Sequence, residues 1–128
     1  MTDNHQAVYA ELAALRYQVP GVLGCVVAGV DGLLVLHDTS TGTEPHDVAA
    51  LAAGAHGISR TAGAVLQQGG FTEVTIHNQS GYLAVYAIGE LALLAVLGDG
   101  GLNIARLHLE ARTVTARLAE LLQLRKVG

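Results

Sequence analysis

The segment from Pro45 to about Gln68 constrains the fold more than any other part of the chain. It is rich in Ala and Gly and predicts one long helix, with Pro45 suited to its first turn. At about 100° per residue, its larger aliphatic side chains fall on one side, which we expect to pack on a sheet. These residues are Val48, Leu51, Ile58, Val65 and Leu66.

The opposite side of this helix lacks the charge that water-facing helices carry. It holds Ala49, Ala53, Gly57, Arg60, Ala64 and Gln67, with His56 beside them. Arg60 is the only charged residue between Val48 and Leu66. Gly54 and Gly57 each cost about 1 kcal/mol relative to Ala inside a helix. We interpret this side as a contact with a second copy of the chain; a helix buried within its own domain, or Ala-rich filler, remains the alternative.

The residues on either side of the helix predict two further helices and five strands. The first helix carries apolar residues at Val8, Leu12, Leu15 and Val19, and the last at Ile104, Leu107, Ala111, Val114, Leu118 and Leu121. The predicted strands are Val22 to Val30, Leu33 to His37, Phe71 to Asn78, Tyr82 to Ile88 and Leu91 to Leu97. Between the first two strands, Asp31-Gly32 predicts a type I′ hairpin turn with positive φ at both residues.

These elements follow the order α-β-β-α-β-β-β-α, without an internal repeat, a linker or a change in composition. All links between strands are short except the long helix between strands 2 and 3, so we expect a five-stranded, mostly antiparallel sheet. The sequence therefore predicts a single α+β domain over residues 1–128, with three layers and a core from about residue 8 to residue 122.

The strand after the long helix, Phe71 to Asn78, is a candidate for an edge of the sheet, where unpaired backbone groups invite pairing with another chain. Pairing with its symmetry mate would join two sheets and bring the two long helices side by side. In the alternative interpretation, Glu73 is an edge charge that prevents such pairing. The predicted homodimer interface consists of Ala50, Ala53, Gly54, Gly57, Thr61, Ala64, Phe71, Thr72, Val74 and Ile76.

Composition and charge exclude several functional classes. The chain has 14% charged residues, a formal net charge of −4 and a single cysteine. These values argue against nucleic-acid binding and against a disulfide scaffold. The sequence shows neither a signal peptide nor an apolar run of about 18 residues, so we expect a cytoplasmic protein without direct membrane insertion.

No constellation of residues in the sequence suggests catalysis or a cofactor. The six histidines are His5, His37, His46, His56, His77 and His108, and none forms a pair at metal-ligand spacing. Cys25 lies within an apolar strand, where a buried, inert thiol is expected. The run from Gly98 to Gly101 lacks the Lys and Ser/Thr of a P-loop and predicts a strand-to-helix turn. We therefore expect a protein that is not an enzyme and that uses no metal and no cofactor.

Several parts of the chain together resemble the roadblock (dynein light chain) family. The segments that carry the resemblance are the first helix, Val19 to Val27, Asp31 to Val35, the Ala- and Gly-rich middle helix and Asn103 to Leu107. The resemblance extends from about Val8 to Leu122. More narrowly, the chain resembles the small roadblock proteins of actinobacterial conservons, which are encoded beside a sensor kinase and a Ras-like GTPase.

The resemblance implies a homodimer with a continuous sheet and paired middle helices. It also implies a small Ras-like GTPase as a partner, and a sensor histidine kinase through which the protein would sit peripherally at the membrane. In bacterial relatives the GTPase docks on the paired middle helices. Carried over to this chain, the implied contacts are His46, Ala49, His56, Arg60 and Gln67. A small-ligand sensor module and a purely structural dimerisation subunit remain alternative functions.

Overall fold

A computed structural model of the chain describes residues 2–40 and 42–122. Its elements, in chain order, are α1 (Thr2–Gln18), β1 (Val22–Gly29), β2 (Leu34–Thr39), α2 (Pro45–Val65), β3 (Glu73–Asn78), β4 (Gly81–Ile88), β5 (Ala92–Asp99) and α3 (Ile104–Leu122). The structure thereby confirms the order α-β-β-α-β-β-β-α that the sequence predicts.

The five strands form one antiparallel sheet in the order β2-β1-β5-β4-β3. β5 lies at the centre, and its apolar residues from Ala92 to Val96 are buried because helices cover both faces. β2 and β3 are the two edges, which confirms the predicted position of β3. α1 and α3 pack on one face and α2 on the other, so the domain has three layers.

The face under α1 and α3 holds the larger of the two cores. Along α1 and directly after it, Val8, Leu12, Leu15 and Val19 are buried, and along α3 the buried residues are Leu107, Ala111, Val114 and Leu118. The helical spacing in the sequence predicts these residues, although Ile104 and Leu121 are only partly buried. Alternate side chains of the strands, such as Cys25, Ile88 and Leu94, complete this core.

The face under α2 holds a smaller core, and here the orientation expected from the sequence is wrong. The buried residues of α2 are Val48, Ala49, Ala52 and Gly63. Of the five aliphatic residues expected on the sheet only Val48 is buried, whereas Leu51, Ile58, Val65 and Leu66 are 61%, 77%, 72% and 61% exposed. Small side chains let the helix lie close to the strands, and the larger side chains then point away from the sheet.

The link between β1 and β2 is a three-residue hairpin loop rather than the expected type I′ turn. The amide of Gly32 donates to the carbonyl of Gly29, and the amide of Gly29 donates to the carbonyl of Leu33. Within this loop only Gly32 has a positive φ, of 89°, whereas a type I′ turn requires positive φ at both central residues. A left-handed glycine at the third position is typical of a three-residue loop that ends in a bulge.

α2 ends in a Schellman motif that has Gln67 at the position where glycine is most common. The amide of Gln68 donates to the carbonyl of Gly63 at 2.7 Å, and the amide of Gln67 donates to the carbonyl of Ala64 at 3.3 Å. Gln67 adopts a φ of 57° and is the one non-glycine residue with a positive φ in the described ranges. The chain then turns back so that the carbonyl of Gly69 lies against Gly63.

Replacing Gln67 by Gly should raise the free energy of unfolding by about 0.5–1 kcal/mol, because glycine adopts a positive φ without a steric penalty. Chemical denaturation of both proteins at one concentration measures the difference. Gln68→Gly is the matched control, since Gln68 has no positive φ and the change only adds freedom to the unfolded chain. A Gln67→Gly protein that is no more stable than the unchanged chain would contradict this expectation.

Candidate interaction surface

One side of α2 carries large aliphatic side chains that no other element covers in residues 2–40 and 42–122. Leu51, Gly54, Ile58, Thr61 and Val65 recur at alternating spacings of three and four, so they form one stripe along the helix. We call these five residues the outer stripe. All five are exposed, none is charged, and Ile58 is the most exposed of the three aliphatic residues. This spacing matches the a and d positions of a heptad, which is typical of helices that pack on another helix.

The two helical glycines Gly54 and Gly57 face open space. A Cβ added at either position would meet no atom within 4 Å. Their cost to the helix, about 1 kcal/mol each relative to Ala, is therefore not offset by close packing within the described part of the chain. Gly63 differs, because the returning chain at Gly69 lies against it. Within residues 2–40 and 42–122, no other element makes a close contact at Gly54 or Gly57.

One flank of α2 lies against the loop between β1 and β2. Ala50 and Ala53 lie against Gly32 in the β1–β2 loop, since a Cβ on Gly32 would stand 3.6 Å from the Cβ of Ala53. That loop lies at the same end of the sheet as the β4–β5 turn and the start of β3. Leu51 and Ile58 lie on the other flank of the helix. The outer stripe is therefore on the side of α2 that faces away from the β1–β2 loop.

The edge strand β3 adds apolar residues on the same face of the sheet as α2. Val74 and Ile76 pair in register with Val85 and Leu83 of β4, whose side chains belong to the core under α2. Val74 is half-buried there, and Ile76 is 37% exposed. Over residues 2–40 and 42–122, no strand pairs with the outer side of β3. An unpaired strand edge and an uncovered apolar helix side thus adjoin on one face of the domain.

A cleft of about 360 Å³ opens beside the second half of α2. His56, Arg60, Phe71 and Glu90 line it, together with parts of the β1–β2 and β4–β5 turns. The His56 ring packs edge-on against Phe71, with ring centroids 4.9 Å apart. Burial, and then the neighbouring Arg60, lowers the pKa of His56 from 6.5, so this ring is mainly neutral at pH 7. Arg60 and Glu90 are therefore the charged groups of the cleft.

The predicted interface and GTPase-contact residues lie on α2, in the segment that follows it and on β3. Of the interface set, Ala50, Gly54, Gly57, Thr61, Ala64, Thr72 and Ile76 are exposed, and Ala53, Phe71 and Val74 are half-buried. Of the GTPase set, His46, Arg60 and Gln67 are exposed and His56 is half-buried. Ala49 is fully buried in the core under α2. Its expected exposure is wrong because α2 is rotated from the expected orientation, and Ala49 offers no surface to a partner.

Leu51, Ile58 and Val65 are the surface residues that the sequence analysis missed, since it placed them on the sheet. Two signals in the sequence distinguish the sides of the helix. One is the three-four spacing of the outer stripe, and the other is the set of small residues at Ala49 and Ala52 on the opposite side. Small residues in such positions allow a helix to lie close to a sheet.

The groups that could carry chemistry are buried or lie apart from one another. Burial, followed by the nearby charge of Asp38, raises the pKa of the Cys25 thiol to about 12, so the thiol stays protonated. Asp38 itself pairs with Arg16 at 3.0 Å. Across the residues that the structure describes, no three His, Cys, Asp or Glu side chains come together as a metal site. In the same residues no helix has both the length and the apolar character needed to cross a membrane.

Comparison with known proteins identifies the family of the chain. The family model of the Roadblock/LC7 domain matches residues 9–98. No curated protein matches the sequence. Among solved structures, the Roadblock/LC7 domain from Streptomyces avermitilis is 25% identical, with a TM-score of 0.83 over 88% of this chain and 95% of that chain.

Two structures of lower identity share the fold. The gliding protein MglB from Thermus thermophilus is 17% identical, with a TM-score of 0.82 over 92% of this chain and 90% of that chain. MglC from Myxococcus xanthus is 18% identical, with a TM-score of 0.63 over 88% of this chain and 96% of that chain. The family model spans well over half of the sequence. The chain therefore belongs to the Roadblock/LC7 domain family, which confirms the resemblance seen in its sequence.

Proposed function

We propose that the chain is a non-catalytic, homodimeric regulator or scaffold that binds a small Ras-like GTPase in a bacterial signalling complex. The observation that carries the proposal is the outer stripe, whose large side chains are exposed on a helix with hardly any charge. Membership of the Roadblock/LC7 family supports the choice of partner, because the resemblance described above implies such a GTPase. We also propose that a sensor histidine kinase joins the complex and holds it at the cytoplasmic side of the membrane.

In the proposed dimer, β3 pairs with β3 of a second copy, and the two α2 helices lie side by side on one face of the joined sheet. Burial of exposed aliphatic surface favours this arrangement by about 25 cal/mol per Å². Gly54 and Thr61 alternate with the larger stripe residues, so the two helices can approach closely. Ala50 and Ala53 are left out of the proposed helix contact, because their flank faces the β1–β2 loop.

For the GTPase we propose the flank of α2 that carries His46, His56 and Arg60, continued by Gln67 after the helix. This flank lies away from the proposed dimer contact, so one surface does not compete with the other. The cleft beside it is lined by Arg60 and by the ring of Phe71, which suits an acidic or apolar side chain of a partner. The dimer would present two such flanks, one from each copy.

The cleft also favours a second candidate function, that of a small-ligand sensor. Its volume of about 360 Å³ lies within the usual range of small-molecule sites. Thermal unfolding with a panel of metabolites distinguishes the two functions. A sensor predicts a higher melting temperature with one metabolite, whereas the GTPase regulator predicts no such effect. A purely structural dimerisation subunit would respond neither to metabolites nor to the GTPase.

Replacing Ile58 by Asp should disrupt the homodimer, because each copy would then bury a charge in the helix contact. We expect the dissociation constant to rise roughly 100-fold, measured by size-exclusion chromatography with light scattering. Leu109→Asp is the matched control, since Leu109 is an aliphatic residue that is 63% exposed on α3, in the opposite layer. An Ile58→Asp protein that dimerises as tightly as the unchanged chain would exclude the outer stripe from the interface.

Replacing Arg60 by Ala should weaken binding of the Ras-like GTPase encoded nearest to this chain by roughly tenfold, since Arg is a frequent energetic centre of interfaces. Biolayer interferometry with the GTPase bound to GDP, and then to a non-hydrolysable GTP analogue, measures the effect. Arg106→Ala is the control, because Arg106 lies on α3 and pairs with Glu110 at the surface. Absence of binding by the unchanged chain in both nucleotide states would contradict the proposal that this GTPase is its partner. Equal loss of affinity in the two variants would show that the GTPase does not bind the flank that carries Arg60.

A further inference from the structure

We propose that two β3 strands pair in one antiparallel register, centred on Thr75, in which Glu73 of each copy faces His77 of the other. The inference rests on the proposed homodimer and names what recognises the second copy. Recognition comes from the hydrogen-bond ladder along the β3 edge and from two symmetric carboxylate–imidazole pairs. The register follows from the direction of the free backbone groups, the face of each side chain and the order of the charges along β3.

Alternate residues of β3 use their backbone groups to bind β4. The carbonyl of Thr72 accepts from the amide of Ala87 at 3.0 Å, and Asn78 pairs with Gly81 across a two-residue turn, whose closing pair is hydrogen-bonded. Because bonding alternates along an antiparallel strand, the even-numbered residues of β3 bond to β4. The odd-numbered residues direct their N–H and C=O groups to the free edge. These residues are Glu73, Thr75 and His77.

The three residues with free backbone groups also share one face of the sheet. They pair in register with Tyr86, Ala84 and Tyr82, whose side chains lie on the side of α1 and α3. In the proposed dimer, a twofold axis perpendicular to the joined sheet keeps that side common to both copies. A residue of this set can therefore face only a residue of the same set in the partner, which excludes every register centred between two residues.

Among the remaining registers, the one centred on Thr75 forms the longest ladder. It pairs Glu73 with His77, Thr75 with Thr75 and His77 with Glu73, so all of the free backbone groups are used. A register centred on Val74 or on Ile76 leaves one of the three residues without a partner inside the strand. Centring on Glu73 would place two carboxylates opposite each other, which is destabilising.

The side chains along the β3 edge are complementary in the same register. Glu73 lies near one end of the strand and His77 near the other, so antiparallel pairing brings the two types together twice. The His77 ring stacks on Tyr82, with centroids 4.2 Å apart and planes 8° from parallel, which orients the imidazole. Both Glu73 and His77 are exposed. On the other face, Val74 of one copy meets Ile76 of its partner beside the outer stripes.

Contacts within the chain hold Glu73 on the side where the partner's imidazole would arrive. Its carboxylate lies 3.8 Å from Nδ1 of His108, and that nitrogen is 2.7 Å from the hydroxyl of Tyr86. Burial, and then the charge of Glu73, raises the pKa of Tyr86, so this hydroxyl stays neutral. In the dimer, Glu73 would thus lie between His108 of its own α3 and the partner's His77.

Single cysteine variants on β3 report the register directly. In the proposed register, two Thr75 residues face each other as a hydrogen-bonded pair with Cα atoms about 5.5 Å apart, within the range of a disulfide. Two Val74 residues, or two Ile76 residues, would be diagonal neighbours about 7–8 Å apart, which is too far. Under mild oxidation, Thr75→Cys should therefore become a covalent dimer, whereas Val74→Cys and Ile76→Cys should not. Cys25 is buried and is present in all three variants, so it does not account for a difference in cross-linking between them.

Charge reversal tests the carboxylate–imidazole pairs. His77→Glu should weaken the dimer roughly tenfold, because it places like charges opposite each other twice, and adding Glu73→Lys should restore the affinity. His37→Glu is the matched control, since His37 is an exposed histidine on the other edge strand, β2. Sedimentation velocity measures the dissociation constants.

The outcomes separate the register from the dimer itself. A dimer that cross-links through Val74→Cys or Ile76→Cys instead of Thr75→Cys would overturn the register and leave the proposed homodimer intact. Failure of Glu73→Lys to rescue His77→Glu would overturn the charge pairing. An unchanged chain that is monomeric would overturn the homodimer and the register together.

Discussion

The close packing of α2 on the sheet through small side chains is the interaction on which the rest of the structure depends. Ala49 and Ala52 bring the helix close to the strands, and of its large aliphatic residues only Val48 is buried beneath it. Ile58 and Val65 consequently lie at the surface. The opposite face is different, because Leu and Val side chains of α1 and α3 fill a deeper core there. The core under α1 and α3 is thus well covered, whereas the outer side of α2 exposes large apolar residues.

A twofold axis beside β3 would allow a second copy to cover both the unpaired edge of β3 and the outer stripe of α2. An exposed strand edge and an exposed apolar helix side are each unfavourable in an isolated protomer. They adjoin on the same side of the sheet, so one symmetric contact can cover both. Glu73 and His77 lie on the same edge but face the other side of the sheet, so the apolar and polar parts of the proposed contact are separated by the sheet. The flank with Arg60 stays free for a different partner.

Much of the fold could be predicted from the sequence, because strong patterns fix it. Large apolar residues at helical spacing identify the buried sides of α1 and α3, and the lengths of the links give the antiparallel sheet. The orientation of α2 could not be predicted in this way, since Leu51 and Ile58 dominate any measure of apolar character while Ala and Gly contribute little. Asp31-Gly32 is compatible with two hairpin loops, and the bonding of Gly29 and the φ angles of the loop distinguish them. The expected orientation of α2 was therefore rotated, and Ala49 was wrongly expected to be exposed.

The central claim is that a second copy covers the outer stripe and the edge of β3. Sedimentation equilibrium of the unchanged chain over a range of micromolar concentrations tests it most directly, because the measured mass depends on neither shape nor a chosen variant. We predict a mass of twice 13.2 kDa, with dissociation only on dilution. A mass of 13.2 kDa at every concentration would show that the protomer tolerates the exposed stripe and open edge, and would contradict the claim.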